Sequence, residues 1–221
     1  MQVAIDGPAG SGKSSVCKII AEKYGLTYID TGAMYRSVAW LSVHFGEDNL
    51  MEKTSHIDFI LEENGKKISI KYNGKIYDLT KEIRTPEISS KVALVASNGE
   101  IRKILVKKQQ EFAKASDVIM EGRDITTVVL PQADIKIFLT ASAEERAKRR
   151  FKEWQSEENK QEYEKVLSEI KKRDEIDSTR KESPLMQAKD AVLLDTTGLT
   201  LEQVADKIGE MIAEKKEKSK K

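Results

Sequence analysis

Gly7-Pro8-Ala9-Gly10-Ser11-Gly12-Lys13-Ser14 decides how this chain folds. The stretch fits G-x-x-x-x-G-K-[ST], the loop that cradles phosphate. The apolar run Val3-Ala4-Ile5 precedes it, and Ser15-Val-Cys-Lys-Ile-Ile-Ala-Glu-Lys23, which has helical spacing, follows it. Strand, loop and helix is the context the motif needs. Its glycines let the backbone turn through conformations closed to other residues, so that successive N–H groups converge on a phosphate at the positive end of the new helix. Residues Gly7 to Ser15 are therefore expected to wrap a nucleoside triphosphate, with Lys13 on its β- and γ-phosphates and the Ser14 hydroxyl as a direct ligand of Mg²⁺.

A chain of 221 residues suffices for one full core with an insertion, not for two unrelated large domains. Lys and Arg number 38 against 37 Asp and Glu, so the chain lacks the overall field that draws a protein to nucleic acid or to an anionic membrane. The single cysteine, Cys17, excludes an internal disulfide and a Cys₄ zinc site. The two histidines, His44 and His56, lack the ligand spacing of a metal site. No apolar run approaches a membrane span, and the phosphate loop leaves no room for a signal peptide, so a cytoplasmic protein is expected. The Lys-rich end, Lys215 to Lys221, reads as a solvated helix terminus.

Five apolar segments near residues 3, 28, 119, 137 and 193 alternate with helical patterns. That alternation predicts an α/β fold, a five-stranded parallel sheet covered by helices on both faces. Between them the composition shifts at Gly46. Asn49 to Asn64 is expected to be helical, and Lys67–Tyr72 and Lys75–Leu79, joined by Asn73-Gly74, form a hairpin in a small sheet outside the main core. Pro86–Ser97 and Glu100–Lys114 read as helices, as does the charged stretch Asn159–Asp177.

Ligands of an open parallel sheet collect beyond the carboxyl ends of its strands. The phosphate loop, Asp30-Thr-Gly-Ala-Met-Tyr-Arg36 and Glu121-Gly-Arg-Asp124 are all expected on that rim. Arginine suits phosphoryl transfer because its planar, permanently charged fork grips phosphate oxygens in two-point contacts. Further arginines come from Arg146 and Arg150, one helical turn apart, from Arg173 and Arg180 beside Asp174 and Asp177, and from Arg84 and Arg102, which flank the inserted region. The charged, weakly apolar stretch between these groups has the composition of a lid.

Six segments, in order and spacing, make the whole chain resemble the bacterial cytidylate kinase family. They are Gly7–Ser14, Asp30–Arg36, Glu82-Ile-Arg-Thr85, Glu121-Gly-Arg-Asp-Ile-Thr-Thr-Val-Val129, Phe138-Leu-Thr-Ala-Ser-Ala-Glu-Glu-Arg-Ala147 and Arg173-Asp-Glu-Ile-Asp-Ser-Thr-Arg180. The resemblance implies transfer of a phosphoryl group from ATP with Mg²⁺ to CMP or dCMP. A monomer that engages neither nucleic acid nor membrane is expected. It implies a core of residues 1–45 and 99–221 with a lid at about 151–185, and a monophosphate-binding insert at 46–98. Arg36, Arg123 and Arg180, with Tyr35 beside them, would hold the CMP phosphate. Thr31 and Asp177 would meet the ribose, and Arg102 and Asp124 the cytosine. Lys13, Arg123, Arg173 and Arg180 would act on the phosphoryl group in flight, Arg146 and Arg150 would serve ATP, and Glu121 would reach Mg²⁺ through water. The chain departs from the family pattern at Glu121 (usually Asp), Thr126 (usually Gly) and Ala93 (commonly Ser). The residues by themselves leave open a kinase for another monophosphate or a small alcohol such as shikimate. A nucleotide-gated switch is disfavoured, since no Asn-Lys-x-Asp follows a strand and Asp195-Thr-Thr-Gly198 follows the last one.

Overall fold

The computed structural model describes residues 1–155 and 163–218. Its central sheet contains β1 (Gln2–Asp6), β2 (Thr27–Asp30), β6 (Val118–Gly122), β7 (Ile135–Thr140) and β8 (Val192–Asp195), in the order β2-β6-β1-β7-β8. All four pairings are parallel, so the five expected strands and their direction hold. Alternation along the strands serves both faces. Val3 and Ile5 of β1 join Ile119, Ile137 and Leu139 in one apolar cluster, against α1 (Lys13–Tyr24) and the last helix, α8 (Leu201–Lys218). Ala4, Ile29 and Met120 point the other way, into a second cluster with α2 (Thr31–Phe45) and α5 (Gly99–Ala115). Each fully buried Ile or Leu in these layers contributes roughly 1.5–3 kcal/mol relative to exposure.

Between α2 and α5 lie α3 (Leu50–Ser55), the antiparallel strands β3 (Asp58–Glu62), β4 (Lys67–Tyr72) and β5 (Lys75–Asp78), a 3₁₀ turn at Glu82–Arg84, and α4 (Pro86–Ser97). Asn73 and Gly74 take φ of 49° and 76°, the left-handed pair that the tight hairpin demands. The helix expected over Asn49–Asn64 is instead a short helix followed by a strand. Ile57, Phe59, Ile60 and Leu61 favour extended backbone, and β4 needs a partner: Phe59 lies opposite Ile70, both buried. The three-stranded sheet is separate from the central one, as expected. Its apolar side chains Phe59, Ile68 and Ile70 nonetheless join the same cluster as Met34 and Leu41 of α2, so it rests on the central core.

The final crossover uses α6 (Ala143–Gln155) and α7 (Tyr163–Thr179), packed through Ala147, Val166 and Ile170. Of the expected lid and charged helix, residues 156–162 lie outside the described residues, as do 219–221 of the Lys-rich end. Among the described residues no helix is long and apolar enough to cross a membrane.

Candidate active site

The phosphate loop leaves β1 at Gly7, packed so closely on β7 that an added Cβ would strike the Leu139 carbonyl oxygen. Gly10 and Gly12 have φ of 76° and 91°, which L side chains rarely adopt, and α1 begins at Lys13 with its first N–H groups facing the loop. The Lys13 ammonium is buried, donating to the Pro8 carbonyl at 2.8 Å and the Ser11 hydroxyl at 3.4 Å. Burial, followed by the charge of Arg123, pulls its pKa down to about 7. Ser14 and Ser15 are exposed at the mouth. This loop lines a cavity of about 740 Å³, closed on its far side by Arg149, Arg150, Thr196 and Leu201.

A second cavity, about 260 Å³, shares Gly10, Lys13, Ser14 and Arg84 with the first and gathers the loops that follow β2 and β6. Asp30 caps α2 by accepting from the Ala33 N–H at 2.8 Å, and its other oxygen holds Arg36 Nη2 at 2.8 Å. The Thr31 hydroxyl donates to the Glu121 carbonyl at 2.7 Å, joining the first residue of α2 to β6. A Cβ on Gly122 would come within 2.7 Å of that hydroxyl, so glycine is needed for the approach. Arg123 donates from Nε to Asp177 of α7 at 2.8 Å, bringing the last helix of the crossover onto the rim. Arg102 and Asp124 form a buried ion pair. Arg102 also donates to the Ala96 carbonyl at 3.1 Å and lies over the Tyr35 ring, 5.3 Å from its centroid. Arg180 donates from Nε to the Ser183 carbonyl at 2.6 Å.

Three buried polar atoms of residues that line this cavity make no hydrogen bond among the described residues: Arg36 Nε, Arg180 Nη2 and Tyr35 Oη. Buried donors left unmatched cost free energy, so a rim that keeps several of them is built for a ligand rich in acceptors. Loss of hydration, then the nearby Arg102, holds the Arg180 guanidinium below its ordinary value. Burial and the loss of its hydroxyl's hydration push Tyr35 up to about 12, so that it stays a neutral donor. Arg173, at the same rim, makes no ion pair with a described residue. A third cavity of about 530 Å³ adjoins the second through Asp177 and Arg180 and has Val92, Ala93, Ala96 and Ile176 as its apolar wall.

All residues expected at the acceptor side therefore meet: Thr31, Tyr35, Arg36, Arg102, Arg123, Asp124, Asp177 and Arg180. Arg146, expected beside ATP, is placed differently. Its guanidinium is buried and filled, donating to Ala9 and Ala141 carbonyls at 3.1 and 2.9 Å and gripping both Asp174 oxygens at 2.9 and 2.6 Å. It ties α7 to the phosphate loop. Arg149 takes the position over the loop instead, 3.8 Å from a Cβ built on Gly12, and is held by Thr196 at 3.1 and 2.7 Å. Arg84, which flanks the insert within Glu82-Ile-Arg-Thr85 and was assigned no particular role, lines both cavities. Its 3₁₀ turn is fastened by Trp40 Nε1 donating to Glu82 at 2.8 Å, and Arg84 itself sits 3.8 Å from Asp30 with its side chain 59% exposed. Glu121 is buried and accepts from the Tyr28 hydroxyl. Burial and then Asp30 push its carboxyl above the usual range, against Lys13, Ser14 and Tyr28, which pull it down.

A phosphate loop at the carboxyl edge of a five-stranded parallel sheet, opening into an arginine-lined second cavity, defines a P-loop kinase. The fold has the same shape as a shikimate kinase from Bacteroides thetaiotaomicron, with a TM-score of 0.51 at 12% identity over 96% of this chain and 98% of that one. The cytidylate kinase family model matches residues 3–214. A cytidylate kinase from Carboxydothermus hydrogenoformans is 47% identical over 97% of this chain and 98% of the relative, and one from Bacillus subtilis is 45% identical over 97% of each. The chain belongs to the cytidylate kinase family.

Proposed function

We propose that the protein transfers the γ-phosphoryl group of ATP to CMP or dCMP, giving ADP and CDP or dCDP. The observation that carries this reading is the set of unmatched donors on Arg36, Arg180 and Tyr35 in a cavity that opens directly onto Lys13 and Ser14. A dianionic acceptor phosphate would satisfy them and lie in line with a γ-phosphate on the loop. Transfer between two phosphates asks for alignment and charge neutralisation and needs no protein base. In this reading ATP occupies the larger cavity, with Gly7 to Ser15 on its phosphates and Arg149 and Arg150 near its outer end. Lys13, Arg123, Arg173 and Arg180 offset the charge of the moving group, and Asp177 and Thr31 meet the ribose. The buried Arg102–Asp124 pair presents donors to the O2 and N3 acceptors of cytosine and an acceptor to its N4 amine.

The donor set fits Mg²⁺. Ser14 and Glu121 offer hard oxygen ligands beside the phosphate loop, and among the described residues no group of three His, Cys, Asp or Glu side chains forms a closed cage. Ser14 would hold the ion directly and Glu121 through water, and the ion would neutralise phosphate charge. We further assign residues 46–98 as the acceptor-side insert on the core of 1–45 and 99–221, with the lid at about 151–185. The reading also takes the protein as a cytoplasmic monomer that needs neither nucleic acid nor membrane, since one chain supplies both cavities. The test is ADP release from ATP and Mg²⁺ with CMP, dCMP, UMP, AMP, GMP and shikimate offered separately. Preference for CMP and dCMP is expected; faster turnover of any other acceptor overturns the assignment.

A further inference from the structure

Asp6 is fully buried, directly precedes Gly7, and lines neither cavity. Three donors nevertheless converge on its carboxylate. The Ile125 N–H reaches Oδ1 at 2.8 Å, and the N–H and hydroxyl of Thr126 reach Oδ2 at 2.7 and 2.6 Å. These donors open the single π-helical turn Ile125–Val129, which is closed by the Val128 and Val129 N–H groups on the Asp124 carbonyl at 2.9 and 3.1 Å. The backbone of Asp124 is thus part of the turn that Asp6 holds. On its other side Asp6 continues into Gly7, which is wedged against the Leu139 carbonyl. One side chain therefore links the loop that carries the phosphate donor to the residues that face the acceptor.

We propose that Asp6 and Thr126 are positioning residues, a strut that fixes Arg123 and Asp124 relative to the phosphate loop. The proposal rests on the kinase reading above. Strand pairing alone sets Asp6 opposite Gly122, but Arg123 and Asp124 lie beyond the last paired residue, where the ladder no longer constrains the backbone. The carboxylate takes over that task. Its preference for three donors in one direction gives the turn one orientation, and the Thr126 hydroxyl supplies a bond that no backbone group replaces. In-line transfer depends on the relation between the two subsites, whereas affinity for each substrate depends on one subsite alone. Loosening the strut should lower the rate of transfer and leave each separate affinity in place.

The decisive variant is Thr126→Val, which keeps the side-chain volume and both backbone bonds and removes the hydroxyl. Its kcat is expected to fall about tenfold, while Kd for ATP and for CMP, measured separately by calorimetry with full stoichiometry, stays within about twofold of the parent. Thr126→Ser should restore kcat. Asp6→Asn, which turns one carboxylate oxygen into a donor facing other donors, should lower kcat further with the same unchanged affinities. A purely structural role would lower the melting temperature and leave kcat intact well below it, and that result overturns the strut. Weakened affinity for both substrates in step with kcat overturns it as well, since that marks general disruption. Should Thr126→Val not be recovered folded, Thr126→Ala is judged by the same criteria. A parent protein that turns over no CMP refutes the reaction itself. An active parent matched by Thr126→Val refutes the strut alone.

Discussion

Replacing Asp124 by alanine strands a charge. Arg102 and Asp124 have side chains only 6% and 7% exposed, so the pair is shielded from water and neither charge can recover hydration if its partner is lost. After Asp124→Ala the Arg102 guanidinium keeps the Ala96 carbonyl at 3.1 Å and the face of Tyr35, neither of which neutralises it. Leaving one member of a buried pair uncompensated costs about 3–5 kcal/mol, and in a chain of this size each kcal/mol lowers the melting temperature by roughly 2–4 °C. A fall of roughly 10 °C follows. Arg102→Met strands the carboxylate in the same way, but Arg102→Met with Asp124→Ala leaves no lone charge behind. The double variant should therefore be more stable than the sum of the single losses predicts, by about 2–3 kcal/mol. Urea melts of the four proteins without nucleotide, followed by circular dichroism, measure the cycle. Losses that add to within about 0.5 kcal/mol would refute the argument that burial makes the two charges interdependent.

Binding of ATP should take up protons. Burial and then Arg123 pull Lys13 down to about 7, and a triphosphate beside it raises that value, so at pH 8 binding draws in a substantial fraction of a proton, an uptake absent in Lys13→Met. Calorimetric heats that do not change between buffers of different ionisation enthalpy would contradict this. The stability sign follows as well: between pH 7 and the ordinary lysine value of 10.5 the unfolded chain binds the extra proton. The penalty from Lys13 is therefore full below pH 7 and relieved as pH rises through that window. Arg123→Ala should cut kcat about 10³-fold while shifting the melting temperature little, because losing the Asp177 partner is offset by relief of the charge crowding Lys13. Rapid-quench turnover and thermal melts test both halves. Arg84→Ala should lower kcat by about 10²-fold with ATP affinity kept, since Arg84 reaches both cavities yet is only loosely held; unchanged kcat would remove it from the site. Arg146→Lys should fail to replace Arg146, because a lysine cannot grip both Asp174 oxygens and two carbonyls at once, and its melting temperature should fall by several degrees.

The local signals that proved legible are those in which one segment carries its own explanation. Buried parallel strands read as continuous apolar runs, and the left-handed Asn73-Gly74 turn announced its hairpin. Ile57 to Leu61 misled because a short apolar run has no distinguishing period; pairing of Phe59 with Ile70 chose the strand. Arg146 was expected beside ATP, and Arg149, for which no role was expected, lies over the loop for a related reason. In Arg146-Ala-Lys-Arg-Arg150 the basic residues surround the helix, and its rotation was set by Ala147 packing on Val166 and Ile170 of α7. Asp6 left a faint trace, an acid closing an otherwise apolar strand, and Thr196 sat in a stretch considered only as a switch motif.

By itself the sequence determined the phosphate loop, the parallel sheet and the rim on which the arginines gather, because glycine placement, apolar runs and strand ends act within a few residues of chain. The tertiary structure alone decided which charges are committed to each other and which are left to meet a ligand. Asp30 holds Arg36, Asp174 fills Arg146, and Asp6 secures the turn behind Asp124, while Arg36 Nε and Arg180 Nη2 keep unmatched donors. Those pairings join residues separated by up to 120 positions, and the free energy of an ionic contact depends on distance and burial, which no spacing along the chain records.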